Sequence, residues 1–560
     1  MLTRRDFLQV AAAAAAALPA GLARATEDGA VTQAELLAFK PVGQVTLLNF
    51  CDIHAQLMPL YFREPSINIG VGEARGLPPH LTGKDFLRHF GLKAGTRAAY
   101  MFTSDEFTAL ARRYGRVGGL DRMATLVKAI RAERPGNTLL LDSGDTWQGS
   151  YTALKTTGQD MVDAMRLLGV DAMTGHWEFT YGKDRVKELV DKLGFAFLAS
   201  NVRDSEWDEE VFGHTSFFDR GGVKVAVIGQ AFPYTPVANP RWMIPTWSFG
   251  IREEDMQKRV DAARAAGAQL VVMLSHNGFD ADRKMAQQVK GIDVILTGHT
   301  HDAIPAVVKV GPTLLVAAGS HGKFLARLDL EVKDGRVADY AFKLIPVLSD
   351  AITPDPEMAA EIAKIRQPHT AELSRVLGRT DSLLYRRGNF NGTWDDLICQ
   401  ALLHQRDAEI ALSPGFRWGA TLLPGQDITV EDVYNQTAIT YPAAYRMAMT
   451  GKAIKDILED VADNLFNPDP YYQQGGDMVR VGGMSYTIEP SRPIGKRITD
   501  MRLTGNGKPI DPGKTYQVAG WASVNQGTEG PPVWDVIGKH LEERKVVTVP
   551  DGQLVKVVGA

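Results

Sequence analysis

Cysteine is nearly absent from this 560-residue chain. Cys51 and Cys399 are its only two, too few for a disulfide scaffold even in an oxidising compartment. Cys51, at the end of an apolar run, reads as a small core residue, and whether the two pair is left open. Past the N-terminus, no apolar run approaches the ~20 residues that cross a bilayer, so no membrane span is expected in the mature protein. Positive charge is not in excess either. The 62 Lys and Arg stand against 66 Asp and Glu, a net −4 at pH 7, and no basic surface for nucleic acid is implied. Internal repeats and low-complexity tracts are missing beyond the first residues. What is present is an ordinary globular composition, long enough for two or three cores.

The N-terminus carries the first positive signal. Thr3 to Leu8 reads TRRDFL, an apolar run follows from Val10 to Leu22, and Ala23-Arg24-Ala25 forms an A-x-A cleavage pattern. Paired arginines, a short apolar stretch and a small-residue site together resemble a twin-arginine signal peptide over residues 1–25. Export by that route carries proteins across already folded, and the expected destination is the periplasm. Taking Arg4, Arg5 and Arg24 from the basic residues and Asp6 from the acidic ones leaves the mature chain at about −6.

From Val45 to about Leu330 short apolar runs alternate with helical patterns: VTLLNF, GGLDRMATLVKAIRAE, TLLLDSGD, DMVDAMRLLG, KVAVIGQ, DMQKRVDAARAAG, QLVVMLSH and VILTGHTH. That rhythm predicts an α/β domain with buried strands, over residues 26–352. Residues 59–116, with Gly- and Pro-containing stretches such as ARGLPPHLTG, read as a long loop-rich insertion over one face of the domain. A Pro-rich start and helical spacing mark 353–378 as a connecting helix. Residues 379–560 read as a second, smaller α+β domain, with helices at WDDLICQALLHQ and AIKDILEDVADNLF and strands at RITDMRLTG and KTYQVAGWA.

The chemistry sits where the apolar runs end. Asp52 and His54 stand at i and i+2 after VTLLNF; if strand geometry continues that far, both leave the same face. Asp145 follows TLLLDSG, His276 follows VVMLS, and His299 and His301 are a second i, i+2 pair after VILTG. His176 follows a helix and a short DAM run. In an open α/β sheet strand ends gather at one crevice, so seven carboxylate and imidazole groups are expected to converge. That donor mixture suits Mn, Zn or Fe and disfavours Ca or Mg. One shared carboxylate would hold two ions ~3.5–4 Å apart, the spacing for in-line displacement at a tetrahedral oxyanion. Any one of these histidines alone reads more readily as a hydrogen-bonded structural residue; the ordered series D-x-H, G-D, G-H, S-H, G-H-x-H is what points to metals.

The segments DIHAQ, GGLDR, DSGDTWQGS, SHNG and GHTH, in that order, resemble the 5'-nucleotidase branch of the calcineurin-like metallophosphoesterases, over nearly the whole mature chain. The resemblance implies a β-sandwich flanked by helices for the N-terminal domain and a 5'-nucleotidase-type substrate domain at the C-terminus. It implies one divalent ion on Asp52, His54, Asp145 and His301, and another on Asp145, His176, His276 and His299, with Mn first and Zn or Fe as alternatives. SPGFRWG resembles the family's arginine-containing substrate loop, which singles out Arg417, and TGKAIKDILE its helix start.

One motif departs from that branch. The family reads G-N-H-E where this chain has Gly175-His176-Trp177-Glu178, so His takes a metal-binding Asn position and Trp177 that of a catalytic His expected to protonate a leaving alkoxide. An indole cannot do so. A sulfur anion needs little such help, since even a simple thiol has a pKa of ~8.5. The exchange, the insertion after Asp52-Ile53-His54, and GNFNGTWDDLICQAL closely resemble the thiosulfohydrolase family of the bacterial Sox thiosulfate-oxidation system. That implies a sulfonate carried on a cysteine of a SoxYZ-type carrier protein as substrate and sulfate as product. The nucleoside signature G-G-D-G-[FY] is missing, and WASVNQGTEGPPVW stands near the C-terminus instead.

On this reading Asp145, His176, Trp177 and Arg417 carry catalysis. Arg417 serves either as a cation for the sulfonate or as an ordinary ion-pair partner. Trp177 either shapes a channel and supports His176 or fills vacated space. The insertion is either a wall of a narrow cleft or a brace between domains. Two other functions remain open, a periplasmic 5'-nucleotidase or nucleotide-sugar hydrolase that tolerates Trp177, and a catalytically silent carrier-binding scaffold.

Overall fold

The structure, a computed structural model, describes residues 31–550, 552 and 554–559; the leader expected over residues 1–25 lies outside them. Among the described residues no helix is long and apolar enough to cross a membrane. The described residues form two compact units, one of residues 31–60, 83–148 and 156–366 and one of residues 61–82, 149–155 and those from 367 on.

The first unit is α/β and contains two six-stranded sheets. One runs Arg336–Pro346, Phe324–Lys333, Val45–Phe50, Thr138–Asp142, Ala172–Met173, Ala196–Phe197; the other runs Val308–Val310, Thr313–Ala317, Val294–Thr297, Leu270–Ser275, Val223–Gln230, Thr215–Arg220. Val45–Phe50, Thr138–Asp142, Ala172–Met173 and Ala196–Phe197 pair in parallel, as do Val223–Gln230, Leu270–Ser275, Val294–Thr297 and Thr313–Ala317. Antiparallel strands finish the edges. Parallel strands covered on both faces need apolar side chains on both, and every residue of VTLLNF, LVVMLS and VILT is buried. The edge hairpin turns at Asp334 and Gly335, both at positive φ, the two-residue turn whose twist matches that of its strands.

The intervening helices follow their apolar periodicity. Leu120–Glu133 buries Leu120, Met123, Ala124, Val127 and Ile130 along one face. Gln159–Leu168 stops at Gly169, whose left-handed backbone lets its N–H reach the Met165 and Arg166 carbonyls.

In the second unit a four-stranded sheet runs Tyr445–Thr450, Thr515–Gly520, Ile410–Gly415, Asp477–Gly482, beside two three-stranded sheets. Its core packs Ile454, Leu458 and Phe466 of the Gly451–Phe466 helix with Ile410, Leu412 and Tyr486.

Two boundaries differ from the sequence reading. The stretch 59–116 is not one loop-rich insertion on the first domain. Residues 61–82 belong to the second unit, where Ile67, Ile69 and Val71 pack on its core and the Ile69 N–H donates to Asn389 Oδ1 at 2.6 Å. The rest stays in the first unit and contains three helices, Gly83–His89, Arg97–Phe102 and Phe107–Tyr114, with the Phe102 ring stacked on Phe324 at 5.0 Å. The connector is also no single helix. Pro356–Arg366 belongs to the first unit, and a strand, Val376–Thr380, begins inside the stretch read as helical. That strand is set by pairing with Asp427–Thr429 and Val546–Val547, far along the chain and invisible to local periodicity.

Candidate metal centre

The strand ends of the first unit meet at one place. Ser143, past Asp142, donates its Oγ to the Leu296 carbonyl at 3.1 Å, and His276 Nδ1 lies 2.5 Å from the Ser143 carbonyl. Around these contacts all seven ligand candidates converge. Asp145, His176, His276 and His299 form one group, and Asp52, His54, Asp145 and His301 another. Within each, one ligand atom per residue lies within 4.8 Å of the others, and all are buried. Asp145 belongs to both.

The i, i+2 pairs do not arise from strand alternation. The strand ends at Phe50, and Asp52, His54 and Ala55 adopt φ of 52°, 49° and 52°. This left-handed path zips residues 52–55 against 144–146, with Asp52, His54 and Ala55 N–H donating to the carbonyls of Gly144, Asp145 and Thr146 at 2.8, 2.8 and 3.0 Å. Asp145, His299 and His301 also have positive φ, so five of the seven candidates occupy a conformation that costs ~1–3 kcal/mol each for a non-glycine residue. Such strain persists only where the surroundings over-determine it, and it gathers at functional sites.

The pocket's electrostatics are those of crowded acids and imidazoles. Burial pushes the Asp52 carboxyl up to about 7. Burial acts on Asp145 too, but the His176 and His276 rings outweigh it and hold Asp145 well below the usual carboxylate range, with their nitrogens 3.2 and 3.0 Å from Oδ2. His276 moves the other way: burial lowers it, Asp145 and Asp52 overcome that, and the ring ends at about 10. His54 is driven down to about 4 by burial, and its Nε2 lies 3.0 Å from His301 Nε2. The buried Nε2 of His176 has no hydrogen-bond partner. Two imidazole nitrogens face to face, a carboxylate shared by two groups and an orphaned ring nitrogen are what divalent cations would satisfy. The donor set therefore fits two metal ions.

Comparison with known proteins agrees with this geometry. The family described as the 5'-nucleotidase C-terminal domain matches residues 376–536. A snake venom 5'-nucleotidase from Naja atra is 26% identical over 448 residues, 72% of this chain and 83% of the relative. A 5'-nucleotidase precursor from Thermus thermophilus shares the fold, with TM-score 0.73 and 23% identity over 92% of this chain and all of that one. The sulfate thiohydrolase SoxB of Thermus thermophilus, solved with glycerol, is nearer: TM-score 0.90 and 37% identity over 93% of this chain and 98% of that one. The chain belongs to the SoxB family. It is a hydrolase of the 5'-nucleotidase and metallophosphoesterase class.

Three buried residues of this SoxB-family centre were not singled out from the sequence. Glu178 gathers the N–H groups of Thr146, His176, Trp147 and Asp145 at 2.6, 2.7, 3.2 and 3.3 Å, tying the turn that presents Asp145 to the one that presents His176. Phe232 lays its ring 4.1 Å from both His176 and His299. Asp282 accepts from Ser275 Oγ, Asn277 Nδ2 and Thr297 Oγ1 at 2.7, 2.9 and 2.5 Å, joining the ends of the strands before His276 and His299. The sequence offered a signal only for Glu178, the acid closing G-H-W-E. Trp177 is buried with its ring 5.1 Å from His176, and its backbone N–H donates to Asp145 Oδ1 at 2.8 Å. Arg417 lies in the second unit, donating to the Gly476 carbonyl at 2.5 Å with Nε 3.6 Å from Asp477.

Proposed function

We propose that this protein is a thiosulfohydrolase that removes the terminal sulfonate, as sulfate, from a cysteine S-thiosulfonate on a SoxYZ-type carrier protein. The observation that carries the reading is His176 grouped with Asp145, His276 and His299 while an indole stands beside it, where 5'-nucleotidases carry a proton-donating histidine. The likeness to the sulfate thiohydrolase from Thermus thermophilus supports it.

Asp52, His54, Asp145 and His301 would hold one ion, and Asp145, His176, His276 and His299 the other, with Mn first and Zn or Fe as alternatives. Such a pair supplies Lewis acidity and an activated water at neutral pH. Water adds oxygen to the terminal sulfur, the sulfur–sulfur bond breaks, and its electron pair leaves with the carrier as a persulfide. That anion needs no proton at the moment of cleavage, so Trp177 can stand in the acid position; its backbone N–H and Glu178 keep Asp145 and His176 in place. Arg417 is assigned to the sulfonate oxygens. Export by the twin-arginine route to the periplasm completes the reading.

The test is sulfate release from thiosulfate-loaded carrier by the metal-loaded protein, with AMP as the competing substrate. Sulfate release with negligible phosphate release is the expected result. Rapid metal-dependent AMP hydrolysis without sulfate release would establish the nucleotidase reading, which the curated relatives favour.

A further inference from the structure

The second unit has a cavity of about 600 Å³ between the Thr393–Gln405 and Val533–Arg544 helices and the chain that follows the latter. Its lining mixes the apolar side chains of Leu403, Val546 and Val547 with His404, His540 and Arg544. His540 is 4% exposed, and its Nδ1 is buried without a hydrogen-bond partner, an arrangement that destabilises a native protein unless something answers it. The two imidazoles meet edge to face at 5.5 Å. Glu543 accepts from Gln405 Nε2 at 2.6 Å and lies 3.6 Å from His404 Nδ1, and Arg544 is the permanent cation among the lining residues.

A cation is disfavoured there. His404, His540 and Glu543 do not bring ligand atoms together as the seven residues of the metal centre do, and among the described residues only the two groups at that centre meet such a criterion. An exposed guanidinium and a buried imidazole, in a lining that also holds branched aliphatic side chains, match a ligand with one anionic end and an apolar body. The volume lies in the range of ~300–1,000 Å³ of small-molecule sites.

We infer that this cavity binds a small organic anion, its charged group held by Arg544 and His540 and its apolar part against Leu403, Val546 and Val547. No residue of the metal centre takes part, so the inference stands apart from the proposed reaction.

Benzoate serves as the probe, titrated calorimetrically into the full-length, metal-loaded protein. One site per chain is expected. Arg544→Gln should weaken it about tenfold, the loss of one charge-assisted hydrogen bond, and His540→Phe should do the same, while sulfate release from loaded carrier stays unchanged in both. Arg544 is exposed, so its variant tests the site even if the buried His540→Phe does not fold. Absence of benzoate binding, affinity unaltered by Arg544→Gln, or His404-dependent Zn²⁺ binding in its place would overturn the inference.

Discussion

Gly298, in the segment Gly298-His299-Thr300-His301, provides the sharpest probe of the centre. Its backbone is outside the left-handed region, so alanine is conformationally admissible and the consequence is purely steric. A Cβ there would lie 2.9 Å from His276 Nδ1, 3.1 Å from the Ser143 carbonyl and 3.3 Å from Asp52 Oδ2. Comfortable carbon contacts begin near ~3.5 Å, so His276 must retreat by roughly 0.6 Å. It has little freedom to do so, since the Ser143 carbonyl that its Nδ1 contacts at 2.5 Å is itself crowded by the new methyl. Metal–ligand distances tolerate about ±0.2 Å, so the displacement exceeds the tolerance several-fold. Gly298→Ala should therefore weaken the ion held with His276 by about 10–100-fold, the effect of disturbing a ligand's supporting contacts, and cost about 1–3 kcal/mol of stability as an overpacked core. Titrating metal-free protein with Mn²⁺, with the bound metal counted by mass spectrometry, measures the first; thermal unfolding measures the second. Gly505→Ala, with nothing within 4 Å of its added Cβ, is the control. Two ions bound at unaltered affinity in Gly298→Ala would show that Gly298 does not sit against the ligands as described.

Other consequences follow from the same site. His176→Ala should retain one ion and lose turnover; unchanged metal content and activity would remove His176 from the ligand set. Glu178→Ala strands four buried N–H groups, an effect of at least ~1–3 kcal/mol, and should lower both thermal stability and metal occupancy, whereas an unchanged melting temperature would deny Glu178 its joining role. In the metal-free protein His276 titrates near 10 and Asp52 near 7, so an ion entering at pH 8 must displace the His276 proton. Affinity should rise about tenfold per pH unit between pH ~7 and ~9 and fall more steeply below ~7, where Asp52 also binds a proton. Calorimetry in buffers of different ionisation enthalpy counts the released protons, and a pH-independent affinity would contradict this charge balance.

The repeating apolar runs made the strands and helices of the first unit legible, because strands buried on both faces must be apolar throughout. VTLLNF, LVVMLS and VILT are buried from end to end, as their composition requires. The spaced acids and imidazoles were equally open to reading from local residue types, and the exchange at His176 and Trp177 from the family resemblance that supplied the G-N-H-E pattern. What local pattern could not supply was everything set by partners far along the chain. Strand pairing drew Val376–Thr380, whose first three residues read as helix, into a sheet, and packing on a distant core drew residues 61–82 into the second unit.

The order of the ligand motifs and the chemical identity of each donor are thus properties of the sequence alone. Their convergence is not: Asp52, His54, Asp145, His299 and His301 reach the centre on left-handed backbone that only the tertiary structure can hold, because hydrogen bonds between segments some ninety residues apart offset a strain that no isolated segment would sustain. The same holds for Glu178, Phe232 and Asp282, whose roles lie in which distant groups they touch.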